Sequence, residues 1–305
     1  MEMSLIDSFI ALFSPSKRIY WVYLLSSLFI ATIYLIVYKK ERAFNLSSKL
    51  WLHKSALLDY KYFIVSFFIK TLLILPIIVS AKEITLMTYK FLLNNYGFTK
   101  ITYFSYTEVM VFFTITLFVV SDFTRYWIHR FLHTIPFLWE FHKVHHSAKV
   151  LNPLTFYRIH PFENILFALR YSISIGLVSG VFIYFFGAMI SVLEIVGVNV
   201  ILFFFSLMGS NLRHSHIKLS YPKVLENIFI SPFGHQLHHS TKYYNKNYGG
   251  YLAIWDKVFG TLQLSHTINK NKKIKFGVEI KDFQTISNLL FIPFKKLGVK
   301  YGKRI

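Results

Sequence analysis

Residues 121–147 read SDFTRYWIHRFLHTIPFLWEFHKVHHS and hold five of the chain's thirteen histidines. His129 and His133 stand four apart, and His142, His145 and His146 come next as H-x-x-H-H. On helices, both spacings put imidazoles on one face. A fold must therefore gather these rings or leave a histidine-rich helix facing solvent. A neutral imidazole offers one ring nitrogen to a metal near pH 7, so gathered rings make a ligand set. The triplet spacing returns at His235, His238 and His239, with Arg213-His214-Ser215-His216 between the two. The triplets and the first pair give eight imidazoles, and His214 gives a ninth. A single zinc site needs three or four ligands. Nine imidazoles suit two metals with four or five nitrogens each.

The sequence around these motifs is that of a membrane protein. Its hydrophobic fraction is 54%, with 33 Phe and 20 Tyr, too apolar for an ordinary soluble domain. Apolar runs at 20–38 and 62–81 are long enough to span. A run at 107–120 is expected to continue as one helix through Arg125 to His133, which carries His129 roughly 13 Å past Val120. Runs at 171–190 and 191–208 read as a hairpin of two spans turning near Gly187. Lys70 is expected to snorkel or line a cavity, and Glu194 and Asn199 to face the bundle interior. The connection at 82–104 is mixed, and no cleavable leader is expected.

The net charge is +20. In such a chain the basic residues are cytoplasmic flanks facing anionic lipid, and nucleic acid is not an expected partner. Basic residues come after 38, 120 and 208, which favours five spans with the histidines cytoplasmic. Four spans, with one early segment in the interface, is the competing arrangement. The chain has no cysteine, which excludes disulfides, thiolate ligands and thiol catalysis.

The stretches HRFLH, HKVHH, LRHSH and HQLHH, with NYGGYLAIWDKVFGTL at 247–262, resemble the fatty acid hydroxylase superfamily, also called the sterol desaturase family. The likeness covers about 107–262. It implies an all-α integral membrane protein of four to five transmembrane helices, with a cytoplasmic cap of helices holding a histidine-rich di-metal site. It implies metal-ligand roles for His129, His133, His142, His145, His146, His235, His238 and His239, with His214 at a further family histidine. His160, in RIHPFE, and Asp256 are candidates to support the ligands, as are Asp122 and Glu163. His216, His53 and His266 have no comparable match. No catalytic residue beyond the ligands is expected.

The resemblance further implies two ferrous ions that use O₂ to hydroxylate a C–H bond of a lipid, or to desaturate it. Electrons would come from a separate donor protein or reductant, since no flavin or nicotinamide fingerprint is present. A metal transporter would place its ligands within the spans. A zinc protease would need a Glu within the triplets. The expected organisation is N-terminal membrane segments at 1–104, the di-iron domain at 105–266 and a basic tail at 267–305.

Overall fold

The computed structural model describes residues 13–187, 190–192, 194–195, 198–270, 273–278 and 281–301. It is helical apart from a two-residue antiparallel ladder of β1 (Glu194–Ile195) and β2 (Val198–Asn199). The leading elements are α1 (Trp21–Val37), the short α2 (Lys39–Asn45) and α3 (Ser48–Trp51), then α4 (Lys54–Ile69) and α5 (Ala81–Tyr96). α6 (Tyr106–Thr134), α7 (Pro136–His146) and α8 (Pro161–Phe186) form the centre. α9 (Val200–Leu207), α10 (Lys223–Glu226), α11 (Pro232–His238), α12 (Ile254–Val258) and α13 (Ile286–Tyr301) complete the chain.

Three stretches are long and apolar enough to cross a membrane: Lys54–Tyr96, Tyr106–Thr134 and Pro161–Phe186. Helix starts obey local chemistry. Ser80 with Glu83 and Ser105 with Glu108 form capping boxes at α5 and α6. Pro136 and Pro161 occupy the first turns of α7 and α8, where a missing N–H costs nothing. Gly97 and Gly187, both at positive φ, end α5 and α8.

α6 is one 29-residue helix, so the membrane run and the first histidine pair share an axis as expected. Two spans and one connection differ from the sequence reading. α8 begins at Pro161, ten residues before the apolar run, because His160 caps it and accepts from Phe162 N–H. The run at 191–208 is helical only at Val200–Leu207; Val192, Ile195, Val198 and Val200 are β-branched and favour extended backbone, and Asn199 caps α9. The Glu194 side chain lies outside the described residues. The mixed connection at 82–104 is largely α5. Its polar residues hide a face that packs on α8 at Gly176-x-x-x-Gly180. A Cβ on Gly176 would come within 2.5 Å of Ile84 Cβ, and one on Gly180 within 2.5 Å of Thr88 Cβ and 2.8 Å of the Thr85 carbonyl. Small residues four apart let two helices approach this closely.

α5 therefore runs parallel to α8, and it is joined to α4 by a π turn at Lys70–Ile74 and a 3₁₀ turn containing Pro76. Gly180→Ala is expected to cost about 1–3 kcal/mol by overpacking. Gly298→Ala, where an added Cβ meets nothing within 4 Å, should be neutral or slightly stabilising. Thermal unfolding of the two variants in detergent checks the contrast.

The short helices gather at the end where α6 finishes and α8 begins. The C-terminal segment closes them. Phe283 and Leu289 pack with Leu58, Tyr62 and Val144 in one buried cluster. Val278 N–H donates to the His146 carbonyl at 2.9 Å, and Phe276 pairs with Ser240. The basic tail thus touches the first histidine triplet and the residues that directly follow the second.

Candidate metal centre

Nine imidazoles converge in two groups. His129, His133, His142, His146 and His238 form one; His145, His214, His235 and His239 form the other. Within each group the ligand atoms lie within 4.8 Å of one another, and every ring is buried. The partition comes from helix geometry. Successive residues turn by about 100°, so positions i and i+4 lie about 40° apart and i+3 falls on the other side. His142 and His146 accordingly face the first group while His145 faces the second. In the other triplet His235 and His239 face the second group while His238 faces the first. Each triplet lends one ring across. The triplets meet with ring centroids 4.6 Å apart at His145–His239 and at His146–His238.

The distances suit metal ions. In the second group, His214 Nε2 lies 3.4 Å from His145 Nε2, 3.0 Å from His239 Nε2 and 3.3 Å from His235 Nε2. Nitrogens bound at about 2.1 Å to one metal would stand about 3.0–3.4 Å apart at angles from square to tetrahedral. In the first group, Nε2 of His133, His142, His146 and His238 is buried without a partner. Four inward nitrogens left unsatisfied would be costly unless something binds them. The donor set fits a metal in both groups.

The outward nitrogens set the tautomers. Nδ1–H of His129 donates to the Tyr248 carbonyl at 2.7 Å, and that of His238 to the Lys246 carbonyl at 2.8 Å. His145 Nδ1–H donates to the Arg158 carbonyl at 3.3 Å, and His142 Nδ1–H to Glu163 Oε2 at 3.0 Å. A carbonyl oxygen accepts only, so Nδ1 of His129, His145 and His238 carries the proton and their Nε2 keeps its lone pair, as it does at His142 when Glu163 is ionised. Burial pushes the His142 and His145 imidazoles down to about 3, aided at His145 by the neighbouring His142 charge. The rings stay neutral at pH 7, the form that binds metals. Trp139 and Tyr244 stack at 5.4 Å and wall the His133 and His146 side.

The supporting candidates divide. Asp256 touches no ligand ring. It accepts from the Tyr248 and Gly249 N–H groups at 2.8 and 2.7 Å and from Thr261 Oγ1 at 2.6 Å. It thereby holds the loop whose Tyr248 carbonyl orients His129, and burial raises its carboxyl to about 6. Asp122 holds the next stretch through Tyr251 N–H, Leu252 N–H and Trp255 Nε1–H. Glu163 bonds a ligand directly. His160 does not: its Nε2–H donates to the Leu290 carbonyl at 3.0 Å, so it joins the tail to the start of α8. His216 accepts from Leu151 N–H, His53 caps α4, and His266 faces Glu226; none of the three belongs to either group. The carbonyls of Tyr248, Lys246 and Arg158 were invisible to sequence reasoning, because every residue has a carbonyl. Glu163, three residues after His160 and opening an apolar run, carried the clearest sequence signal.

Comparison with known proteins places this geometry. A family model described as fatty acid hydroxylase matches residues 114–261, which include all nine histidines. Human alkylglycerol monooxygenase is 29% identical over 163 residues, 53% of this chain and 32% of that protein. Ornithine lipid hydroxylase OlsE of Rhizobium tropici is 28% identical over 193 residues, 63% of this chain and 53% of that protein. Very-long-chain aldehyde decarbonylase CER1 of Arabidopsis thaliana is 27% identical over 176 residues, 55% of this chain and 26% of that protein. The matched stretch thus spans about a third of the alkylglycerol monooxygenase and half of the ornithine lipid hydroxylase. No solved structure matches the chain. Residues 114–261 thus carry a fatty acid hydroxylase domain.

Proposed function

We propose that the chain is a membrane-bound oxygenase that hydroxylates a C–H bond of a lipid with O₂ and two iron ions. The observation that carries this reading is the pair of buried all-imidazole groups, each spaced for one metal. Imidazole suits iron, and O₂ chemistry needs a metal that changes valence, which zinc does not. Two relatives are named for oxidising lipids, an alkylglycerol and an ornithine lipid, and three long apolar helices adjoin the site.

The iron ions, when bound, supply the redox chemistry with O₂. The chain supplies position. His129, His133, His142, His146 and His238 would hold one ion, and His145, His214, His235 and His239 the other. Glu163 and the carbonyls of Tyr248, Lys246 and Arg158 keep the rings aimed. Trp139 and Tyr244 cover one side of the rings, and a target carbon held still beside them would be positioned for reaction. The balance is R–H + O₂ + 2 e⁻ + 2 H⁺ → R–OH + H₂O. The two electrons come from a separate donor protein or reductant.

The basic flanks favour five crossings with the cap and C-terminus cytoplasmic. The 190–208 segment would be a shorter crossing beside the three long apolar stretches; α1, which meets Ser210 and Asn211 at its Arg18 end and Leu212 and Ile217 through Tyr34 and Leu35, favours the four-span arrangement in which it lies in the interface. The fold-level division into membrane segments at 1–104, the di-iron domain at 105–266 and the tail at 267–305 belongs to the same proposal.

Anaerobic iron loading of purified protein, then metal analysis, should give two irons per chain; one or none would sink the two-ion reading. Lipidomics of cells with and without the gene should show a +16 mass change. A −2 change would instead make the chain a desaturase. A reporter fused after Ile305 that reads as external would overturn the topology.

A further inference from the structure

Just below the metal centre the bundle holds four guanidinium groups. Arg125 lies one helical turn before His129 on α6, and its Cζ sits 5.6 Å from the Tyr251 ring centroid. Arg170, on α8, donates to the Ser121 carbonyl at 2.7 Å and to Thr124 Oγ1 at 3.2 Å, beside Arg125 on α6. Arg213 immediately precedes His214. It donates to the Gly250 and Ile230 carbonyls and lies 4.6 Å over Phe205, whose ring is 4.8 Å from that of Tyr251. Arg18 donates to the Ser210 carbonyl and lies 4.2 Å over Phe156, a ring that contacts His214. All four lie around Tyr251, and Arg18 and Arg213 adjoin His214 of the second histidine group.

Their hydrogen-bond partners are all neutral, and the buried Asp122 carboxylate, near enough to attract Arg125 and Arg170, is one acid beside four cations. Among the described residues none of the four forms an ion pair with a carboxylate. Asp122, the acid nearest in sequence to Arg125, is occupied by Tyr251 N–H, Leu252 N–H and Trp255 Nε1–H. Arg125 makes no hydrogen bond to another described residue, and Arg213 Nε and Arg170 Nε are buried without a partner. Arg213 is only 4% exposed. Clustered cations so placed call for an anion. Arg18, Arg125 and Arg170 are half-buried, so the cluster opens outward, and the neighbouring Tyr171 is exposed on the outside of α8. Planar guanidinium forks match the oxygens of a phosphate.

We propose that Arg18, Arg125, Arg170 and Arg213 bind the phosphate of an anionic lipid headgroup and thereby select a phosphate-bearing lipid as substrate of the adjacent metal centre. The word substrate rests on the oxygenase reading; the binding does not. The test titrates the iron-loaded full chain in nonionic detergent with phosphatidic acid and with diacylglycerol of the same acyl chains, read by native mass spectrometry and thermal shift. Phosphatidic acid should bind at least tenfold more tightly and saturably. Arg125→Gln removes no hydrogen bond from the fold and should lower that preference about tenfold, with iron content unchanged. Arg125→Lys should keep part of it, and Arg125→Gln with Arg170→Gln should abolish it. Equal binding of the two lipids, or an unaltered preference in the double variant, would overturn the proposal. Full competition by equimolar inorganic phosphate would overturn the lipid assignment in favour of a free-phosphate site. Absent turnover with the phosphatidic acid preference intact would count against the oxygenase reading alone.

Discussion

Replacing His145 or His238 with Ala should abolish product formation, by at least about a hundredfold, and strip metal from a different group in each case. Loss of a residue that merely orients a ligand typically costs 10–100-fold in metal affinity or activity, so loss of a ligand should cost more. His145 belongs to the group of four and His238 to the group of five. The His145→Ala group retains three nitrogens and the His238→Ala group four. Iron content should therefore fall further in His145→Ala than in His238→Ala. Glu163→Ala, which unfastens His142 but removes no ring, should fall between wild type and either variant. Membrane insertion should be unaffected in all three, because it depends on the apolar stretches. Metal analysis, product assay and membrane fractionation of one preparation check the set. Full activity in His145→Ala or His238→Ala would refute the ligand assignment for that group.

The histidine constellation was legible because its information is local. Spacings of three and four residues state which faces of a helix the rings occupy, and the repeated triplet states that two such helices meet. The long reach of α6 was legible for the same reason, since no breaker falls between Tyr106 and Thr134. The 191–208 stretch was not, because an apolar run reads alike as strand or helix. α5 was missed because Lys82, Glu83 and Lys90 give it the composition of a loop. Its evidence stood elsewhere, in Gly176 and Gly180 of the partner helix. The tail looked like a solvated basic run, yet Phe283, Leu289 and Leu297 are buried. Among them, Leu289 lies three residues after Ile286, which packs on the same cluster. The orienting carbonyls of Tyr248, Lys246 and Arg158 could not be read at all, since tertiary folding alone selects which backbone groups face a ring.

Position and charge are built together around the site. α6 delivers His129 and His133 from below, and the 247–261 loop is tied to α6 by Asp122 and to itself by Asp256. Gly250 permits that tie, because a Cβ there would lie 2.5 Å from Arg125 Cδ and 2.7 Å from Asp122 Oδ1. The loop thus serves two sites, orienting His129 through Tyr248 and presenting Tyr251 to the guanidinium cluster.

The largest stability effect is expected at a node that no motif or spacing singles out. Arg158 is 1% exposed, and its NH1 bonds Asp59 Oδ1 at 2.9 Å. Asp59 Oδ2 accepts from Asn152 Nδ2 at 2.9 Å and from Thr155 Oγ1 at 2.7 Å. The same guanidinium donates to the Val144 carbonyl, within the first triplet, and to the Phe283 carbonyl in the tail. One side chain therefore joins α4, α7 and the C-terminal segment, while its own carbonyl orients His145. Arg158→Ala leaves Asp59 charged, buried and without its cation, which should cost about 3–5 kcal/mol. Asp59→Ala should cost a similar amount by stranding Arg158. Replacing both at once, Asp59→Leu with Arg158→Met, removes the stranded charge and should recover much of the loss, as buried pairs often exchange for apolar residues at little cost. Thermal unfolding of the metal-free protein in detergent separates the cases. Iron retention should drop in Arg158→Ala, because Val144 and Phe283 lose their common donor. A double variant no more stable than either single one would show that the node acts through its backbone bonds and not through the buried charge pair.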